Sequence, residues 1–229
     1  VISIASTLRE CLEEGKYPRS YPHLVDFVDG DRVITVQTMA ALECQKRIMD
    51  QNAIDNPKFL KLLAYRNTTV YELNRFVRGM RLTKELLMSK YCVGESLILT
   101  EPMLDETQSA VILPNNSEVV IHEVSKRTEG EGDYTFEVYH LVVSCDLLEN
   151  GTTVLLKARP VGDPTYSSIE ELLKTIALSK PKGSFESKSA WMDYYQFKRQ
   201  FVPVRHSFSL TTHRSQGSTY NYTIINGGD

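Results

Sequence analysis

The run Phe59-Leu-Lys-Leu-Leu-Ala-Tyr65 is mostly apolar and shows no in-and-out alternation, and the four residues after it, Arg66-Asn-Thr-Thr69, are polar. A strand without alternation is one covered on both faces, the usual situation in a parallel sheet. Val70, Leu73 and Val77 then recur at helical spacing. The order strand, polar turn, helix is the βα unit of an α/β layer, in which ligands sit beyond the carboxyl end of the strand. Asn67, Thr68 and Thr69 are therefore candidates for ligand contact and equally for the N-cap of the helix that follows.

A second segment has the same character. In His206-Ser-Phe-Ser-Leu210, Phe208 and Leu210 alternate with Ser207 and Ser209, which predicts a short buried strand. The chain then becomes polar from Thr211 to Ser218, with Thr211, Thr212, His213, Arg214, Gln216 and Gly217 in succession, before Asn221-Tyr-Thr-Ile-Ile225. Hydroxyls, backbone N–H groups and a cation together suit phosphate oxygens, and a glycine lets backbone approach a ligand closely. A Ser/Thr-rich turn between two strands explains the polarity equally well.

Between these segments the texture changes at about Val93. Short β-type runs at residues 96–100, 110–113, 118–124, 134–143 and 152–158 are separated by turn signals at Pro114-Asn-Asn116, Glu129-Gly-Glu-Gly-Asp133 and Glu149-Asn-Gly151. Five strands in so short a span predict a small barrel, and Asn150-Gly151 is its strongest hairpin signal. After Pro160, Ser167 and Ser168 precede two acids and then Leu172 and Leu173, which predicts a helix capped by serine. Residues 180–188 read as a Lys/Ser/Gly loop. Trp191, Tyr194, Tyr195, Phe197 and Phe201 lie among Lys198 and Arg199, either as the packing face of a helix or as a stacking surface for single-stranded bases. At the N-terminal end the spacing predicts a helix over residues 1–15, a loop to Gly30, a strand over residues 32–36 and a helix over residues 38–51.

The 229 residues carry a formal net charge of -3, which weighs against a surface given over wholly to nucleic acid but leaves room for a local basic track. Cys11, Cys44, Cys92 and Cys145 are widely spaced with no C-x-x-C pair, so they read as buried, reduced thiols and provide no metal site. No apolar run approaches the roughly 18 residues of a membrane span, and a cytoplasmic location is expected.

Leu210-Thr-Thr-His-Arg-Ser-Gln-Gly-Ser-Thr-Tyr220 resembles motif V of superfamily 1 DNA helicases in the RecD-like and phage-type branch, and Leu63-Ala-Tyr-Arg-Asn-Thr-Thr-Val-Tyr-Glu-Leu-Asn74 is similar to the segment around motif IV. The resemblance implies an α/β fold: a RecA-like, P-loop-type parallel sheet domain over residues 1–92 and 161–229, interrupted at 93–160 by a small SH3-like β-barrel. It implies the second motor domain of an ATP-dependent helicase of DNA replication or repair. Thr211, Thr212, His213, Arg214 and Asn67 are then expected at single-stranded DNA, and Gln216, Gly217 and Arg66 at the nucleotide. ATP and Mg2+ would be held mainly by a first motor domain, an N-terminal partner that this chain lacks. The chain has no G-x-x-x-x-G-K-[ST] loop and no Asp-Glu pair after an apolar strand, so no Walker A chemistry and no catalytic residue of its own are expected. It also stops at Asp229, ahead of the place where motif VI would supply an arginine. An excised fragment that does not hydrolyse ATP is the expectation, with replication proteins as further partners and host cytoplasm as its location if phage-encoded. Two other classes fit parts of the sequence: a non-catalytic SH3-like interaction module of a replication or recombination protein, and a P-loop-group nucleotide enzyme that acts without DNA.

Overall fold

The computed structural model describes residues 24–26, 32–34, 48–56, 58–131, 134–148 and 152–226. The chain forms two compact units, residues 1–50 and 51–229. In the first, β1 (Leu24–Asp26) and β2 (Arg32–Ile34) pair antiparallel with Val25 opposite Val33. The strand expected from Arg32 is present there. The helix expected over residues 1–15 and most of that over 38–51 lie outside the described residues.

The second unit runs α1 (Gln51–Asp55), β3 (Leu60–Ala64), α2 (Asn67–Arg81), α3 (Lys84–Leu87), β4 (Ser96–Leu99), β5 (Met103–Leu104), β6 (Val111–Leu113), β7 (Glu118–Glu131) and β8 (Tyr134–Ser144). It continues with β9 (Thr153–Ala158), α4 (Pro164–Ser179), α5 (Phe185–Arg199), β10 (Val204–His206), β11 (Ser209–Thr211), α6 (Thr212–Ser215) and β12 (Tyr222–Ile225). The protein is thus mixed α/β with several sheets, one parallel and the others antiparallel.

The parallel sheet has the order β11-β3-β12, and all five residues of β3 are buried. Helix α2 lies against it through Val70, Asn74 and Val77. Asn74 does more than fill space. Its Nδ2 donates to Val70 O at 2.9 Å and to Ser209 O at 3.0 Å, and its Oδ1 accepts from Ser209 N at 3.0 Å. The amide thus completes the hydrogen bonds of edge strand β11 from the helix side, where unpaired backbone would otherwise be buried.

The second sheet is antiparallel, in the order β10-β4-β7-β8-β9. A parallel bridge between Ala158 and Val202 brings its two edges together, with Val202 N donating to Lys157 O at 2.8 Å and Arg159 N to Val202 O at 2.9 Å. Leu97, Leu99, Leu113, Val119, Ile121, Leu141, Val143 and Leu156 fill one core on this sheet. Phe136 and Val138 of β8 start a second core with Tyr166 and Ile169 of α4 and with Phe197 and Phe201; of the aromatic run, Tyr194, Phe197 and Phe201 are buried, Trp191 is half-buried and Tyr195 is exposed.

The structure corrects several sequence expectations. The sheet's fifth strand is β10, from beyond the helices, whereas residues 111–113 pair only with β5 in a separate two-stranded piece. β7 continues through the expected turn at Glu129-Gly130 to Glu131, because β8 pairs with it out to Tyr134. Asp163, rather than Ser167, caps α4: its carboxylate accepts from Thr165 N and Tyr166 N at 2.9 and 3.0 Å, with Pro164 favouring the first turn. Ser167 and Ser168 instead donate back to the carbonyls of Asp163 and Pro164. The loop expected to Lys188 ends at Ser184, whose hydroxyl caps α5 by accepting from Ser187 N. Ser207 and Ser209 are as buried as Leu210, because the chain passes from one sheet into the other at Phe208. Cys92 is buried but Cys145 only half-buried, while Cys11 and Cys44 lie outside the described residues.

Two polar clusters join the sheets. Lys61, 0% exposed in the middle of β3, donates from Nζ to Ser207 O at 2.5 Å and lies 3.0 Å from the Glu118 carboxylate at the start of β7. Ser207 also hydrogen-bonds Ser96 of β4, Oγ to Oγ at 2.5 Å. Burial lowers the Lys61 pKa, and Glu118 partly offsets that. Around this cluster, Leu63 of β3, Leu210 of β11 and Ile98 of β4 form the apolar contact between the sheets. The second cluster is centred on Glu95, which is 4% exposed. Its carboxylate receives Arg78 Nε at 2.6 Å and Cys92 N at 2.8 Å, with His206 Nε2 3.5 Å away. Burial pushes the Glu95 carboxyl up, but His206 and Arg78 outweigh it and hold the pKa below the usual range.

Removing one partner of a buried pair costs about 3–5 kcal/mol, whereas replacing both by apolar residues can be neutral. Glu118→Ala is expected to destabilise by roughly that amount, and Lys61→Met/Glu118→Leu to recover most of it, as read by urea unfolding. Equal losses in both variants would show that the pair does not act as a unit. For Glu95, a depressed folded pKa means that its stabilisation is complete above the ordinary value of 4.5 and is lost as pH falls through the lower folded value. Glu95→Gln should therefore cost about 3 kcal/mol at neutral pH, and the gap from wild type should close as the pH drops below the ordinary carboxylate range. A gap that stays constant through acid would remove the charge argument.

Candidate functional site

β3 and β11 run side by side in parallel, with Ala64 opposite Thr211, so both end at the same edge of the sheet. Each is followed by a helix, α2 from Asn67 and α6 from Thr212. The two polar segments, well over a hundred residues apart in the chain, therefore open onto one place. There the residues Tyr65, Arg66, Asn67, Thr68, Thr211, His213 and Arg214 line a cleft of ≈ 620 Å³.

The lining contains two arginines, a histidine and no acid. Arg66 takes the N-cap position of α2 in extended conformation without a side-chain cap bond. None of Asn67, Thr68 and Thr69 is the cap, because the helix has already begun at Asn67. First-turn N–H groups of a fifteen-residue helix thus face the cleft with the positive end of the helix dipole. Asn67 Oδ1 accepts from Arg205 Nη1 at 3.2 Å, which brings a further cation to the rim from β10. Burial and the nearby Arg205 charge both lower the Arg214 pKa. His213 is exposed and stands 6.2 Å, centroid to centroid, from the ring of Tyr65.

Thr211 has a structural task. It is 8% exposed, and its Oγ1 accepts from Arg214 N at 3.4 Å as the cap of α6. Thr212 is half-buried and absent from the cleft wall; its carbonyl accepts from Ser215 Oγ at 2.8 Å. Gln216 and Gly217 follow α6 and are exposed, also outside the lining. Gly217 adopts φ +85°, a left-handed conformation that favours glycine, and nothing lies within 4 Å of where a Cβ would be. Of the three residues expected at a nucleotide, only Arg66 lines this cleft, together with four of the five expected at a nucleic acid.

Sequence reasoning missed Arg205 and Tyr65. Arg205 sits in no motif, and only the antiparallel pairing of β10 with β4 brings it beside Asn67. Tyr65 reads in the sequence as the last apolar residue of a strand but is 65% exposed just past its end. Among the described residues no group of acids, histidines or cysteines is arranged to hold a metal ion. No helix there is long and apolar enough to cross a membrane.

Because Thr211 caps a helix, its loss confounds a binding measurement with a folding one. Thr211→Ala is expected to lower stability by about 1 kcal/mol, while Thr211→Ser keeps the cap and the wild-type melting temperature. Equal melting temperatures for both variants would remove the capping role. No family model matches the chain, and no curated protein matches its sequence.

Proposed function

We propose that this chain is the second motor domain of a superfamily 1 DNA helicase and that the cleft at the ends of β3 and β11 grips the sugar–phosphate backbone of single-stranded DNA. The observation that carries the reading is the convergence of two distant segments, Tyr65–Thr68 and Thr211–Arg214, on one cationic cleft without an acid in its wall. A phosphate backbone supplies acceptors and negative charge, and the cleft supplies donors and positive charge. The three-stranded parallel sheet supports a RecA-like layer, and the antiparallel sheet whose edges meet at Val202 supports a small SH3-like barrel packed on it.

In this reading His213, Arg214 and Asn67 contact phosphates, and Thr211 and Thr212 set the loop that carries them. ATP and Mg2+ belong to the interface with a first motor domain. Gln216 and Gly217 are exposed after α6, and in this reading they face that partner, which supplies the nucleotide chemistry. Arg66 shares the wall of the DNA cleft, so it serves either phosphate source from one position. Strand separation, replication proteins as partners and a cytoplasmic setting follow from the same reading.

The test is fluorescence anisotropy with a labelled single strand of about 12 bases, within the site sizes of single-strand binders. The wild-type chain should bind with an affinity that falls as salt rises, and His213→Ala/Arg214→Gln should weaken binding about tenfold or more, the worth of a lost charge-assisted contact. Affinity unchanged in the double variant would place the DNA elsewhere. Absence of saturable binding by the wild type up to about 1 mM, weaker than ordinary non-specific association, would overturn the reading.

A further inference from the structure

Arg205 is exposed on β10, opposite Ile98 of β4, and so belongs to the antiparallel sheet rather than to either polar segment of the cleft. Its side-chain hydrogen bond among the described residues goes to a neutral amide: Nη1 donates to Asn67 Oδ1 at 3.2 Å. The other arginines at the sheet junctions differ. Arg78 forks the Glu95 carboxylate at 2.6 and 3.2 Å, and Arg159 forks Glu101 at 3.0 and 2.9 Å. Among the described residues Arg205 meets no carboxylate, so its charge is held in place without being neutralised.

The pairing also settles which end of the Asn67 amide is committed. A guanidinium has only donors, so it takes the carbonyl oxygen. Asn67 is then left with its Nδ2 donors, and Arg205 with the rest of its N–H groups. The pair therefore offers a ligand chiefly donors and positive charge, with one lone pair of Asn67 Oδ1 already taken by Arg205. A phosphate diester, which has acceptors only, complements that set. A neutral ligand leaves the Arg205 charge unmet.

We propose that Asn67 is a positioning residue for Arg205, and that Arg205 is a phosphate contact through which the antiparallel sheet takes part in gripping the single strand. The inference rests on the single-strand reading above. It makes the grip a joint property of both sheets: Arg214 and His213 come from the end of the parallel sheet, and Arg205 from the strand that completes the antiparallel one. The crowding of Arg214 by Arg205 fits a site whose cations are brought together for an anion between them.

The experiment compares wild type, Arg205→Gln, Asn67→Asp and His213→Ala/Arg214→Gln, each by anisotropy with the same labelled oligonucleotide over a salt series and each by melting temperature. Arg205→Gln should weaken binding about tenfold, as for a lost charge-assisted contact. It should also reduce the slope of log affinity against log salt by about 0.7, one phosphate's share on a single strand. Asn67→Asp separates this role from a structural one. A carboxylate there holds Arg205 at least as firmly and suits the first turn of a helix, so melting should be unchanged or raised. It nonetheless neutralises Arg205 and removes the amide donors, so binding should fall at least as far as in Arg205→Gln. Wild-type affinity and slope in both variants, alongside lost binding in His213→Ala/Arg214→Gln, would overturn the role of Arg205 and leave the single-strand reading standing. If wild type and the His213→Ala/Arg214→Gln variant bind alike, the single-strand reading falls and this inference falls with it.

Discussion

A lysine ammonium in the middle of a fully buried strand sets the terms for the rest of this structure. Lys61 has no access to water, so its charge has to be met from within. The groups that meet it come from across the sheet boundary: the Ser207 carbonyl, where β10 gives way to β11, and the Glu118 carboxylate, where β7 begins. Neither Glu118 oxygen receives a well-aligned hydrogen bond, so that contact acts through charge more than geometry. The apolar contact of Leu63, Leu210 and Ile98 could tolerate a small slide between the sheets. A buried ion pair tolerates it far less, because its desolvation is recovered only at short range.

That fixed register determines what the cleft can be. Ser207 is held by Lys61 and by Ser96, and Ser209 by the Asn74 amide, so the crossing between sheets has little freedom on either side. Residues just before the crossing then serve the antiparallel sheet: His206 faces Glu95, and Arg205 reaches Asn67. Residues just after it serve the parallel one, with Thr211 beside Ala64 and His213 near Tyr65. Within ten residues, one stretch of chain supplies a tether, a rim cation and the cleft wall. It can do so because its two halves lie in different sheets.

Much of the parallel layer was legible from local sequence. The buried strand, polar turn and amphipathic helix around Asn67 are near neighbours in the chain, and each carries its own signal. The motif residues His213 and Arg214 were legible for the same reason. What escaped was everything that depends on long-range pairing. β10 is three residues long with a mixed pattern, so nothing in Val-Arg-His says that it closes a sheet begun at Ser96. Glu129-Gly-Glu131 looks like part of a turn until eleven residues of β8 are laid beside β7 and make it a strand. Lys61 reads as an interruption in an apolar run. Its partners, Glu118 and Ser207, are distant in sequence and unremarkable where they stand.

Charge shows how a net acidic chain can carry a cationic cleft. The sum of -3 counts all acids alike, but in the fold many are committed. Glu95 is held by Arg78, Glu101 by Arg159, Glu118 by Lys61, and Glu129 by Lys157 and His140. These pairs lie in the seams and along the antiparallel sheet, and none of their acids lines the cleft at the ends of β3 and β11. Arg205 and Arg214 meet no carboxylate among the described residues, so the local field at the cleft is set by the cations that the pairing left over. Field near a surface depends on nearby unpaired charge far more than on the total, since salt screens distant acids within about 10 Å. The segregation follows from topology: strand pairing brings acids and bases together inside the sheets and leaves the strand ends to the basic loops.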